Sequence, residues 1–199
     1  MKIIIKTADW ANGHEKLFIE ESVRLIYESN PEFYDLVSPN KNDIYENLAI
    51  QLRDSHSELG HSIIIILEDV LAGISVYYPY VEMKNRQFNS LRHLVNIHSH
   101  YPDILERIKS FTLNIEPITA SKSIYWARLG VKKEYRRLGI ASLLSNAMEY
   151  DVKTKGFDYI YSHLNHKNEV SMKMHLGRNF SRVSNMDYTF IAMSKKVAL

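Results

Sequence analysis

The stretch Leu129–Leu144, LGVKKEYRRLGIASLL, decides how this chain is read. It starts as the end of a β-rich run, Ser123 to Val131, and finishes inside an amphipathic helix. Ile140, Leu143, Leu144, Ala147 and Met148 recur at i, i+3, i+4 and i+7 on one face. Lys153 and Lys155 suit the carboxyl end of that helix and Gly156 suits the residue after it, so the spacing predicts a helix over Gly139–Lys155. Its amino end is unusual. The first N–H groups of a helix have no partner inside it, and a Ser, Thr, Asp or Asn side chain normally caps them. Here Arg136, Arg137, Leu138 and Gly139 come first, and none carries an acceptor. Open amides at the positive end of a helix dipole form an anion site where small residues allow close approach. Gly139 and Ala141 are small, and Arg128, Lys132, Lys133, Arg136 and Arg137 crowd the segment against one acid, Glu134. A phosphate or pyrophosphate is the simplest occupant. Taken alone, R-x-x-G-x-A also fits a solvated basic loop before a surface helix. The two standard glycine-rich phosphate motifs, G-x-G-x-x-G and G-x-x-x-x-G-K-[ST], are absent from the chain.

Outward from this stretch, strands and helices alternate. Toward the amino terminus, Ile3–Thr7 reads as a strand, Glu15–Ser29 as a helix with Leu17, Ile19, Val23, Leu25 and Ile26 apolar, and Asp43–Ser55 as a second helix with Ile44, Leu48, Ile50 and Leu52. Ser62–Glu68 and Leu71–Tyr80 read as strands joined by a tight polar turn at Asp69, the first apolar throughout and so expected to be buried on both faces. Residues 81–120 break the rhythm and read as a partly helical insertion over one end of the sheet, with helical pieces near Asn89–Ile97 and Asp103–Phe111. Beyond the quoted stretch come a strand at Phe157–Leu164, a helix at Asn168–Leu176, and a closing strand pair at Phe180–Ser184 and Tyr188–Met193. Such alternation predicts a mixed α/β sheet flanked by helices, in a single domain over residues 1–199.

Composition narrows the function. The chain has 199 residues, 45% of them hydrophobic and 24% charged, and a net charge of only +2, so neither nucleic acid nor a membrane surface is an expected partner. With no cysteine, thiolate chemistry, disulfides and Cys-based zinc sites are excluded, as fits a reducing cytoplasm. The apolar runs Ile3–Ile5 and Ile63–Leu67 are too short for a signal peptide or a membrane span, so a cytoplasmic location is expected. His98-Ser99-His100 and His163-x-x-His166 lack a clear third ligand, so no metal is expected.

The strand ending in L-x-V (Leu129, Val131), the loop, and the [RQ]-x-x-G-x-[GA] start (Arg136, Gly139, Ala141) together resemble the signature of the GNAT N-acetyltransferase superfamily. In that family an Asn after the next strand opens a helix, with a small residue three positions on and a Gly-Phe pair closing it; NEVSMKMHLGRNF supplies Asn168, Ser171 and Phe180, with Asn179 in place of the Gly. The resemblance is carried by residues Ser123 to Ser184; upstream it rests on element order.

The resemblance implies that acetyl-CoA, as co-substrate, lies between two parallel strands that splay apart, here those ending at Val131 and Leu164. The pantetheine arm would pair with Leu129–Val131. The pyrophosphate would take the start of the helix, at Arg136, Arg137, Leu138, Gly139, Ile140, Ala141 and Ser142, with Asn168 and Ser171 completing the cofactor site. A primary amine of a small molecule or peptide would attack the thioester directly. Where many relatives have a Tyr that protonates the leaving thiolate, this chain has His175, whose imidazole can donate a proton. The strand before the loop has no carboxylate; Glu116 and His163 are the candidate bases. Tyr77, Tyr78, Tyr80, Tyr125 and Trp126 belong to two strands expected to be adjacent; Tyr80 and Trp126 are the candidates for the acceptor side, roofed by the insertion. The alternative expectation is a non-catalytic acyl-CoA-binding or regulatory domain of the same fold. A homodimer is the expected form of any self-association.

Overall fold

The computed structural model describes residues 3–6, 16–29, 31, 34–35, 38, 40–97, 120–185 and 190–197. In chain order the elements are β1 (Ile3–Lys6), α1 (Lys16–Ser29), α2 (Lys41–Arg53), β2 (Ser62–Leu67), β3 (Val70–Pro79), α3 (Met83–Ile97), β4 (Ser123–Val131), α4 (Ile140–Thr154), β5 (Tyr159–Asn165), α5 (Glu169–Gly177), β6 (Ser181–Asn185) and β7 (Phe190–Lys196). The strands form one sheet in the order β1-β2-β3-β4-β5-β7-β6. Each neighbouring pair is antiparallel except β4 and β5, which are parallel.

Two apolar layers cover the sheet. On one face α1 and α2 pack Ile19, Val23, Ile26, Ile44 and Leu48 against Ile64, Ile66, Ile74, Val76 and Tyr78. On the other, α4 packs Ile140, Leu144, Met148 and Val152 against Ile63, Ile65, Tyr77, Trp126 and Ile160. β2 feeds alternate isoleucines to both layers, and every residue in it is buried, the burial its unbroken apolar run requires. Glu68 and Asp69, both at positive φ, turn β2 back into β3 with Leu67 opposite Val70, as a type I′ hairpin demands. Leu17 and Ile50, expected on the apolar faces of their helices, are exposed. Asn47 and Gln51 take buried positions on α2 instead, with Gln51 Nε2 donating to Asn47 Oδ1 at 2.5 Å.

α2 begins two residues before the expected start, because Asn40 caps it: Oδ1 accepts from the Asn42 N–H at 3.1 Å. α3 begins six residues before the helical piece read at Asn89. It lies along α2 and the loop after it, where Arg86 Nη1 donates to the carbonyls of Ser55 and Ser57 at 2.6 and 2.8 Å and His93 pairs with Asp54 at 2.7 Å. The expected insertion is thus described through Ile97; residues 98–119, including His98, His100 and Glu116, lie outside the described residues.

One irregularity positions everything that follows. Val76 of β3 faces Arg128 and Tyr77 faces Trp126, so Ala127 is an extra residue in β4. Such a bulge bends a strand and re-aims its side chains. Before it, Ile124 and Trp126 face α4 while Tyr125 and Ala127 face α1 and α2; beyond it, Leu129 and Val131 face α4.

Candidate active site

β4 and β5 pair only at their beginnings, Ser123 with Tyr159, Ile124 with Ile160 and Tyr125 with Tyr161. Past the bulge they part. β4 continues to Val131 paired with β3 alone, while β5 runs to Asn165 paired with β7. At the fork, Ser162 Oγ donates to the Trp126 carbonyl at 3.1 Å. Among the described residues the edge of β4 that includes Leu129 and Val131 has no strand beside it from there on, and backbone groups left in this way need a partner.

The opened edge leads to the start of α4. Gly139 is the N-cap residue at φ 83°, in the left-handed region, and no side chain caps the helix. Arg137, two residues earlier, also has positive φ, 65°. A Cβ placed on Gly139 would find no atom within 4 Å, so the approach to the amides is open. Arg136, Arg137, Leu138, Gly139 and Ser142 are exposed, Ala141 is half-buried, and Ile140 is buried and anchors the turn. Of the five cations expected to crowd this segment, two point elsewhere. Lys132 pairs with Glu21 of α1, and the Arg128 guanidinium lies over the Tyr34 ring on the α1 side, 5.9 Å from its centroid. Arg136 stays at the loop, its Nε donating to the Val131 carbonyl at 3.1 Å.

Asn168 opens α5 as its cap, Oδ1 accepting from the Ser171 N–H at 3.0 Å. This accounts structurally for the Asn and for its partner three residues on. His175, one turn later, is buried between Trp126 and Phe180, with ring centroids 5.0 and 4.8 Å away. Its Nδ1 lies 2.9 Å from the Ser171 carbonyl, and its Nε2 is buried without a partner. Because only a ring nitrogen bearing hydrogen can bond a carbonyl, Nδ1 carries the proton and Nε2 is a bare acceptor. Burial pushes the imidazole pKa down, the Ser171 carbonyl partly offsets this, and the nearby Arg178 charge lowers it further.

On the opposite face, residues scattered along the sequence converge. The Tyr125 hydroxyl lies 3.2 Å from His163 Nδ1. Tyr80 packs edge-on against both Tyr125 and Tyr161 at 6.1 and 5.7 Å, and Tyr78 donates its hydroxyl to Glu58 Oε1 at 2.6 Å. Burial pushes His163 down to about 4, so it is neutral at ordinary pH. Burial, with the Glu58 carboxylate nearby, pushes the Tyr125 phenol above its usual range, so it remains a hydroxyl. Tyr80 and Trp126, expected to line one acceptor site, are on opposite faces of the sheet. Trp126 is 2% exposed, and its Nε1 donates to Ser75 Oγ at 2.9 Å. The juxtaposition of Tyr125 with His163 spans 38 residues, and the only signal for it in the sequence is the parallel alignment of two strands. Among the described residues no cluster of His, Asp or Glu has the makings of a metal site, and no helix is long and apolar enough to cross a membrane.

A parallel pair that forks beside an uncapped, glycine-led helix is the arrangement that the resemblance to the GNAT superfamily implies. The model of the GNAT acetyltransferase family matches residues 23–180, and the chain belongs to that family. Its fold is similar to that of an N-acetyltransferase from Staphylococcus aureus Mu50 (15% identity, TM-score 0.68, 96% of this chain and 100% of that one). It is also similar to the PaiA N-acetyltransferase from Thermoplasma acidophilum in complex with coenzyme A (16%, 0.57, 98% and 99%). The YncA acetyltransferase from Salmonella typhimurium with its cofactor acetyl-CoA is similar as well (10%, 0.58, 98% and 94%). No curated protein sequence matches this chain.

Proposed function

We propose that this protein is an acetyl-CoA-dependent N-acetyltransferase that acetylates a primary amine of a small molecule or peptide by direct attack within a ternary complex. The observation that carries this reading is that, among the described residues, β4 beyond Tyr125 has no strand on its β5 side and leads through the loop to the uncapped start of α4. These residues fit the co-substrate: backbone groups at Leu129–Val131 match an extended amide-bearing arm, and the amides from Arg137 to Ser142, with Arg136 beside them, match a pyrophosphate. Structures of family members holding coenzyme A or acetyl-CoA support the assignment. Acetyl-CoA bound there supplies an activated acetyl thioester.

The chain's own part is to bring the amine and take its proton. Tyr125 and His163 stand where β4 and β5 part. As the amine nitrogen bonds to the acetyl carbon, that carbon's bond to sulfur would break with the thiolate of coenzyme A as leaving group, and the nitrogen's proton becomes acidic. The Tyr125 oxygen accepts that proton while its own passes to His163 Nδ1, so the ring ends as an imidazolium that solvent later discharges. The low His163 pKa keeps the ring free of a proton beforehand. His175 has its only proton committed to Ser171 and is assigned to packing behind Trp126. Thiol release from acetyl-CoA over a panel of amines tests the function, and binding without turnover would favour the non-catalytic acyl-CoA-binding reading. With a working amine, His163→Asn is expected to lower kcat by about 10²-fold or more, within the usual range for a proton acceptor, with acetyl-CoA KM little changed. Wild-type kcat in that variant would remove His163 from the chemistry.

A further inference from the structure

Arg128 is out of place for a residue of the cofactor loop. The Ala127 bulge turns it onto the α1 and α2 face, where its guanidinium covers the Tyr34 ring. There Arg128 Nε is buried with no hydrogen-bond partner among the described residues. A guanidinium has five N–H donors in a rigid fork, and sealing one away from both water and an acceptor is costly. Structures keep such a group where a ligand completes it. The location fits a ligand: Arg128 is three residues along β4 from Tyr125, close enough for the two to act on each other electrostatically together with Tyr34, Tyr78 and Glu58. Glu58 does not satisfy the fork; its Oε1 accepts from Tyr78. Arg86, over the Tyr78 ring on the same face, is already paired with Glu82, whereas Arg128 has no ion pair among the described residues and brings an uncompensated cation near the Tyr125–His163 pair, a pattern complementary to an acceptor bearing a carboxylate rather than to a simple alkylamine.

We propose that Arg128 anchors a carboxylate on the acceptor, so that the acceptor is an amino acid or a similar amine with a carboxylate a few bonds from its nitrogen. The planar fork matches a carboxylate through two parallel hydrogen bonds, and anchoring it there delivers the amine toward the Tyr125 hydroxyl. This rests on the transferase reading for its consequence but not for its test, because ligand binding is read separately from turnover.

The experiment titrates the full chain, in the presence of coenzyme A, with matched pairs that differ only by the carboxylate: L-phenylalanine against phenethylamine and L-ornithine against putrescine. At least one acid-bearing member is expected to bind about tenfold tighter than its partner, about 1.4 kcal/mol. Arg128→Met should erase the difference. Arg128→Lys, which keeps the charge but not the fork, should weaken the acid-bearing member alone, and it serves if the Met variant does not fold. Pairs that bind alike in the wild type, a preference that survives both substitutions, or no binding by any of the four compounds would overturn the proposal. Carboxylate-selective binding without acetyl transfer would retire the transferase reading and leave the Arg128 site standing; transfer without carboxylate selectivity would do the reverse.

Discussion

At the scale of a single residue, the proposed anion site turns on Gly139. Its left-handed φ of 83° strains any other residue by about 1–2 kcal/mol, while the space around its missing Cβ is open. Gly139→Glu therefore adds modest strain and places a negative charge where the pyrophosphate is proposed to lie. The dissociation constant for coenzyme A is expected to rise by more than about tenfold in a protein that remains folded by circular dichroism, and calorimetry reads the change. An unaltered constant would move the pyrophosphate elsewhere. His175 gives the opposite expectation. With Nδ1 bonded to Ser171 and Nε2 bare, it has no proton to offer a leaving thiolate. His175→Phe should run single-turnover acetyl transfer within about threefold of wild type, far inside the effect of losing an acid. A fall of about 10²-fold or more would restore the donor role that its position in the family signature suggests.

Among elements, the contact of α4 with the sheet sets the site. A Cβ on Gly73 would stand 2.9 Å from the Gly130 carbonyl oxygen, 2.9 Å from Leu144 Cδ1 and 3.1 Å from Ile140 Cγ2. The first is backbone and cannot yield, so α4 and β4 must shift. Gly73→Val is expected to cost about 1–3 kcal/mol, read from the urea midpoint, and to weaken coenzyme A binding too, because Ile140 begins the helix whose amides form the site. Loss of stability with full cofactor affinity would show that α4 moves as a unit with its loop. At this scale much was legible: the all-apolar run of β2 announced burial on both faces, and the spacing from Ile140 onward announced α4. The α2 cap at Asn40, whose amide also donates to Asp43 Oδ1 at 2.8 Å, escapes a reading that begins this helix at Asp43. α3 was harder to delimit: among its described side chains Met83 is buried, Phe88 is exposed, and Arg86 and His93 bond to the end of α2 and its loop.

For the whole molecule, buried histidines link stability to pH. His61, His163 and His175 all have pKa values lowered chiefly by burial, His163 to about 4. Between the unfolded value near 6.5 and these folded values the unfolded chain binds more protons, so stability rises with pH across that window. For His163 the contribution is complete above about pH 6.5 and is lost as pH falls toward about 4, at up to roughly 1.4 kcal/mol per unit, and His61 and His175 act in the same direction. Below that range Glu149 adds to the loss. Burial opposes its charge, but hydrogen bonds from Lys195 and Arg178 outweigh this and hold its carboxyl below the usual range, so protonation there breaks a tie between α4, the end of α5 and β7. Denaturant midpoints should hold from about pH 7.5 to about 6.5 and fall from there to about pH 4, and His163→Asn should flatten that slope. A slope unchanged by that substitution would mean that His163 is solvated.

What the sequence by itself determined was whatever rests on neighbours along the chain: the apolar period of α4, its missing cap, the Gly139 turn, the L-x-V strand end and the Asn168 helix start. From these the alternation of strands and helices could be read; the forked strands and a cofactor edge on them were what the resemblance to the GNAT superfamily implied. Only the tertiary structure decided the face proposed here for the acceptor. Strict alternation along β4 puts Arg128 with Trp126, toward α4; the single extra residue at Ala127 reverses that and delivers Arg128 to Tyr34. The same fold separates Tyr80 from Trp126 and brings Tyr125 to His163. A bulge is settled by how two strands and their layers pack, and no local pattern in IYWARLGV encodes it.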